Sequence, residues 1–92
     1  MSEYITIETE TTDDPDVLVI MTNQQLTMED KEVYPHAASG EEGSPLAQVL
    51  FAIEGVAALT IEGQNLVVRR NPDAEWFVLI DEISAALKDF FL

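Results

Sequence analysis

Acidic side chains near the N-terminus are the residues with the clearest capacity for chemistry, because carboxylate oxygens are the ligands that Ca²⁺ and Mg²⁺ prefer. One group, close together in sequence, comprises Glu8, Glu10, Asp13, Asp14 and Asp16. An EF-hand loop needs acids at alternate positions, a glycine at the sixth and a glutamate at the twelfth. Here Pro15 takes an alternate position and no such glycine exists. The spacing favours solvated acids of a turn and strand, and a weak cation site stays open as the alternative.

Other residue types that catalyse reactions are present without a catalytic arrangement. His36 is the single imidazole and has no Ser or Cys nucleophile near it in a recognised pattern, which favours a loop histidine. Adjacent acids such as Asp81 and Glu82 are expected from the composition, and a general acid–base pair would need surroundings that separate their two pKa values. We therefore expect a protein that is not an enzyme, with no catalytic, cofactor-binding or metal-binding residues.

Length and charge limit the class of protein further. Ninety-two residues with 47 % apolar content predict one domain spanning residues 1–92. The formal charge of −14 disfavours direct binding to nucleic acid or to a membrane surface, and it is uneven, with −10 on residues 1–43 and −4 on residues 44–92. The sequence contains no cysteine, so it offers neither disulfides nor thiolate ligands. Met1 to Glu10 lacks the features of a secretory signal, which favours a cytoplasmic location.

Hydrophobic periodicity in the first half predicts strands. Residues 4–9 alternate, with Ile5 and Ile7 on one face, and residues 17–21 form a β-rich run. Between them Asp13 to Asp16 supply turn residues, so the two strands are expected to form a hairpin. Residues 31–34 predict a short third strand, and the small residues of Ala37 to Gly43 predict a mobile loop.

The second half predicts two helices around another hairpin. Ser44 is expected as an N-cap with Pro45 at N1, and the apolar stripe Leu46, Val49, Leu50 and Ile53 is expected to end at Gly55 in the C′ position. Residues 59–70 then form a hairpin about a turn at residues 63–65. The last helix is predicted to have Asp73 as its N-cap and Glu75 in its first turn. Its stripe comprises Trp76, Leu79, Ile80, Ile83, Leu87 and Phe90.

Together these elements predict an α+β fold, a two-layer sandwich in which two helices cover one face of a largely antiparallel sheet. Trp76 is expected to close the end of the core. Phe91 and Leu92 do not both fit the stripe, so core or edge cover, fraying and an exposed apolar patch stay open.

A family resemblance is carried by residues 44–56, with the sequence Ser-Pro-Leu-Ala-Gln-Val-Leu-Phe-Ala-Ile-Glu-Gly-Val, followed by a hairpin and a helix opening on Asp-Ala-Glu-Trp. This stretch resembles the N-terminal domain of Nfu/NifU-type iron–sulfur scaffold proteins, over most of the chain. That domain also carries a Thr-Pro-Asn-Pro-Asn motif followed, one residue on, by Leu-Lys and an aromatic. Residues 12–20 take those places, keeping Thr12, Pro15 and Leu18.

The resemblance implies the accessory half of such a scaffold, because the family assembles clusters on a separate domain with a Cys-x-x-Cys motif. We expect a module of iron–sulfur cluster assembly or delivery that docks proteins and does not ligate the cluster. Its expected partner is a protein with a basic patch, either a cluster scaffold or a target apoprotein. The expected partner-binding residues are Thr12, Asp13, Asp14, Pro15, Asp16 and Leu18.

Two alternatives come from other classes of protein. A self-associating structural domain with no iron–sulfur role would pair an open sheet face or edge between two copies in a homodimer. An acidic decoy that imitates nucleic acid is the other, and it follows from charge alone.

Overall fold

Five antiparallel strands form one sheet. A computed structural model describes residues 5–91, with the side chain of Ala37 excepted. The strands are β1 (Ile7–Thr11), β2 (Val17–Thr22), β3 (Glu32–Tyr34), β4 (Val56–Glu62) and β5 (Asn65–Arg70). Their order across the sheet is β1-β2-β5-β4-β3, so β5 pairs with β2 as well as with its hairpin neighbour β4. Both predicted hairpins and the short third strand are confirmed.

The helices are α1 (Ala37–Gly40), α2 (Pro45–Phe51) and α3 (Trp76–Phe90). They cover one face of the sheet, because their buried residues form a single cluster with Leu18, Ile20, Leu59, Ile61, Leu66 and Val68. The predicted two-layer α+β architecture is therefore confirmed, with three helices in place of two. None of the helices within residues 5–91 has the length and apolar character needed to cross a membrane.

Helix α2 begins as the sequence predicts and ends earlier. The Ser44 hydroxyl accepts a hydrogen bond from the Ala47 amide at 3.3 Å, and Pro45 follows at N1. The C-cap is Ala52 and C′ is therefore Ile53, so the prediction that Gly55 occupies C′ was wrong by two residues. Gly55 has a φ of +106°, and it turns the chain into β4. Val49 also departs from the predicted stripe, since it is 37 % exposed.

Helix α3 begins two residues later than predicted. Its N-cap is Glu75 and not Asp73, because a turn over residues 71–74 precedes it, with the Ala74 amide donating to the Asn71 carbonyl at 2.9 Å. Leu79, Ile83 and Leu87 of the predicted stripe are buried. Phe90 is 39 % exposed, and Phe91 packs against the core in its place, whereas Leu92 lies outside the described residues.

The segment predicted as a mobile loop contains α1. Residues 37–40 form one helical turn after the N-cap His36, whose amide donates to the Ser39 hydroxyl at 3.4 Å. Gly40 is buried, and a Cβ there would lie 2.1 Å from the Phe51 ring. This glycine therefore permits close packing against an aromatic ring, where composition had suggested flexibility.

The first strand is shifted relative to the prediction. It covers residues 7–11 instead of 4–9, and residue 4 lies outside the described part of the chain. Ile5 precedes the strand and is buried, while Ile7 packs against the core, so both face the side that the alternation predicts.

Candidate docking site

The β1–β2 loop, residues 12–16, holds most of the predicted partner-binding residues and is ordered by its own side chains. The Thr12 hydroxyl hydrogen-bonds to the carbonyls of Asp14 and Val17, both at 3.0 Å, and accepts from the Asp14 amide at 3.1 Å. The Asp14 carboxylate accepts from the Asp16 amide at 2.9 Å, which forms an Asx turn. Thr12 and Asp14 therefore fix the loop backbone.

Two arginines at the end of β5 neutralise two acids of this loop. Arg69 Nη2 lies 3.2 Å from Asp14 Oδ2, and Arg70 Nε lies 3.1 Å from Asp16 Oδ1. The hydrogen bond from the Asp16 amide lowers the pKa of Asp14 below its ordinary value of 3.8, and the adjacent Arg69 guanidinium lowers it further against the opposing effect of desolvation. The loop is therefore less anionic than its sequence suggests.

Helix α3 holds the loop from the other side. The indole N–H of Trp76 donates to the Pro15 carbonyl at 2.8 Å. Arg70 lies 5.4 Å from the Trp76 ring and also donates to the Ala74 carbonyl at 2.9 Å. Trp76 packs against the core as predicted, and its polar edge ties the hairpin to the helix. We call residues 12–16 with Arg69, Arg70 and Trp76 the clasped loop.

The predicted partner-binding residues divide into surface and core positions. Asp13 and Pro15 are exposed, and Thr12 is exposed with its hydroxyl engaged inside the loop. Leu18 is 5 % exposed and belongs to the core cluster. Its side chain is therefore not part of a docking surface.

The acidic residues close together in sequence, from Glu8 to Asp16, do not converge in space. Glu8 and Glu10 lie on β1, and Asp14 and Asp16 are ion-paired in the loop. Within the described range 5–91, no three His, Asp or Glu side chains come close enough to hold a metal ion.

A second feature is a groove of about 470 Å³ beside β3. Glu32 lines this groove, and its carboxylate accepts hydrogen bonds from the hydroxyls of Thr27 and Tyr34. Burial acts to raise the pKa of Glu32, but the hydrogen bonds from Thr27, Tyr34 and Ser44 outweigh it and hold this pKa below its ordinary value of 4.5. The Tyr34 oxygen also accepts from the Ser44 amide at 3.2 Å, so Glu32 links the β3 segment to the start of α2.

Sequence reasoning missed Arg69, Arg70 and Trp76 as members of the site. The one available signal was that Arg69 and Arg70 are two of only four basic residues in a strongly acidic chain. Their use depends on β5 lying beside β2, which sequence spacing does not reveal.

The fold and the clasped loop define a small α+β domain whose candidate site is built from hydrogen bonds and ion pairs. The family model for the scaffold protein Nfu/NifU N-terminal region matches residues 7–92. The chain therefore belongs to the Nfu/NifU N-terminal domain family.

Two kinds of relatives agree with this assignment. The chain is 28 % identical over 85 residues to a mitochondrial NFU1 iron-sulfur cluster scaffold homolog of Drosophila persimilis, and 29 % identical over 85 residues to the mitochondrial NifU-like protein 4 of Arabidopsis thaliana. Both alignments cover 92 % of this chain and only 30 % of the relative, so the chain spans about a third of their length.

Solved structures share the fold. The solution structure of a NifU-like protein from Saccharomyces cerevisiae matches with a TM-score of 0.77 at 24 % identity, covering 94 % of this chain and 77 % of that one. A crystal structure of a Staphylococcus aureus protein matches with a TM-score of 0.72 at 16 % identity, covering 88 % of this chain and 96 % of that one. At these identities the likeness concerns the fold.

Proposed function

We propose that this domain is a non-enzymatic docking module of iron–sulfur cluster assembly or delivery, which binds a partner protein and leaves cluster ligation to other groups. The observation that carries the proposal is family membership over residues 7–92 in a sequence without cysteine. Iron–sulfur clusters are held by thiolates in most proteins, and these 92 residues supply none. The cluster is then cargo of the partner, and this domain contributes shape and surface potential.

Charge supports a partner with a basic patch, because a domain of formal charge −14 attracts cationic surfaces over distances comparable with the Debye length. In this proposal the ordered residues 12–16 give the surface one shape. Exposed Asp13 offers its carboxylate to the partner, and exposed Pro15 offers apolar area beside it.

Binding measurements on purified proteins test the proposal. The domain would be immobilised and exposed to a U-type cluster scaffold, a cysteine desulfurase and an apo-ferredoxin at low and at high salt. We expect one of them to bind, with affinity falling about tenfold between the two salt concentrations. Absence of binding to all three, or affinity indifferent to salt, contradicts the proposal.

A matched pair of variants tests the role of the loop. Asp13→Asn removes one exposed loop charge without touching an ion pair, and Asp81→Asn removes one exposed charge from α3. If the loop contacts the partner, Asp13→Asn weakens binding about threefold and Asp81→Asn has a smaller effect. Equal effects would indicate that only total charge matters.

A further inference from the structure

The sheet has a second face that no helix covers within residues 5–91, and strand register places its residues in rows. Burial alternates along β2 and β5, so Val19 and Val67 point away from the core and are half-buried. The register aligns Val19 with Val67, Val67 with Thr60 and Thr60 with Val33. Four neighbouring strands thus present a row that is apolar except for one threonine, which we call the open-face row.

Flanking residues extend the apolar centre. Val17 and Met21 lie on the same face of β2, and Ala58 lies on the same face of β4. None of these side chains belongs to the core cluster. With strands about 4.8 Å apart, the open-face row together with Glu10, the β1 residue opposite Val19, spans about 19 Å, which is the scale of a protein contact and not of a small-molecule pocket.

Carboxylates border this apolar centre on two sides. Glu10 stands opposite Val19 at the β1 end of the row, and Glu8 stands opposite Met21 in the next row. Glu62 ends that next row on β4, two residues beyond Thr60. All three are exposed, and they have no ion pair among the described residues.

A cation at the centre of this face is already paired. Arg69 projects from the open face of β5 between Val17 and Ala58, and its guanidinium pairs with Asp14. The face therefore combines an apolar centre with a net negative border.

We propose that the open-face row is a protein-docking surface for a partner whose contact patch has an apolar centre flanked by Lys or Arg. This deepens the proposed docking function and rests on it for the identity of the partner. A second copy of the chain is a poor occupant, because it would bring two borders of glutamates together on molecules that each carry −14. A cationic apolar patch would cover the valines of the open-face row and pair with the carboxylates at its border.

A peptide titration followed by NMR tests the surface without knowledge of the natural partner. The probe is an amphipathic helical peptide of leucine and lysine. The two control peptides replace its lysines by glutamate or its leucines by serine. We expect amide shifts centred on Val19, Thr60 and Val67 with the first peptide only. Its affinity is expected to fall about tenfold at high salt.

Paired variants separate the apolar centre from the border. Val19→Thr with Val67→Thr keeps β-branched residues in the strands, so the sheet is expected to fold, and binding is expected to weaken about fivefold. Phe77→Ala, on an exposed side chain of α3, is the apolar control. Glu8→Gln with Glu10→Gln is expected to weaken binding about threefold, and Asp81→Asn with Glu82→Gln is the control of equal charge.

Three outcomes would overturn the proposal. The first is amide shifts centred on α3 or on residues 12–16, and the second is equal affinity for the peptide in which serine replaces leucine. The third is a dimer, detected by sedimentation, that dissociates when Val19→Thr and Val67→Thr are combined. The last outcome would make a second copy the occupant.

The same variants, tested against whichever cluster-assembly protein binds, distinguish this inference from the proposed function. If such a protein binds and all open-face variants leave its affinity unchanged, the surface is wrong and the function stands. If the peptide maps to the open-face row and none of the three assembly proteins binds, the surface stands and the function is wrong.

Discussion

Two groups of acidic residues in this domain differ in what surrounds them. Asp14, Asp16 and Glu32 each accept bonds from the protein itself, from arginines in the clasped loop and from hydroxyls in the groove. Glu8, Glu10 and Glu62 border the open sheet face and have no ion pair among the described residues. The first group fixes the shape of the domain, and the second leaves its charge available to a partner. Net charge alone therefore does not identify which acids are available for docking.

The largest expected effect separates two members of the predicted partner-binding set. Leu18→Ala removes a core side chain and is expected to destabilise the domain by about 2–5 kcal/mol. Asp13→Asn, at an exposed loop position, is expected to change stability by less than about 0.5 kcal/mol. Urea unfolding of both variants checks this. Similar values would mean that Leu18 does not support the core.

The next largest effect is the difference in stability lost when each arginine of the clasped loop is replaced. Arg70→Gln loses bonds to Asp16 and Ala74 from a half-buried position, so we expect a cost of about 1–2 kcal/mol. Arg69→Gln breaks a pair whose side chains are 50 % and 44 % exposed, and we expect no measurable loss. Thermal unfolding at low and high salt measures both variants. A larger loss for Arg69→Gln would contradict the assignment of Arg70 as the main support of the loop.

The contribution of the Glu32 carboxylate to stability is expected to depend on pH. Glu32→Gln is expected to cost about 1 kcal/mol of the free energy of unfolding at neutral pH. Because the folded pKa of Glu32 lies below its ordinary value of 4.5, the charged form adds stability that is complete above this value and is lost as pH falls through the folded pKa. The stability difference between wild type and Glu32→Gln is therefore expected to be largest at neutral pH and to shrink as the pH falls below 4.5. A difference that is constant with pH would show that the hydrogen bonds do not depend on the charge.

The smallest effect concerns the border of the open face. Glu8→Gln with Glu10→Gln removes like charges from an edge strand, so we expect unchanged or slightly higher stability, within about 0.5 kcal/mol. Urea unfolding of wild type and of the double variant at low salt, where charge repulsion is least screened, measures this difference. A clear loss of stability would show that these acids have structural partners and would remove the contrast with Asp14 and Asp16.

Local signals in the sequence predicted much of the fold because they act over a few residues. The hydroxyl of Ser44 followed by Pro45 marked the start of α2, and the Ile5 and Ile7 alternation identified the buried side of the first strand. The same local reasoning failed at Gly40, where the need for glycine comes from the Phe51 ring, and at Asp73, where a preceding turn delays the helix.

The sequence by itself determined the charge of −14, the absence of thiolate ligands and the alternation that separates the two faces of the sheet. Only the tertiary structure decided which acids are neutralised, since Arg69, Arg70 and Trp76 reach the loop across separations of 55, 54 and 61 residues. These contacts exist because β2 pairs with β5, and strand pairing over such distances is set by burying one common core. The same pairing aligns the valines of the open-face row, so the loop and the open face both follow from one strand order.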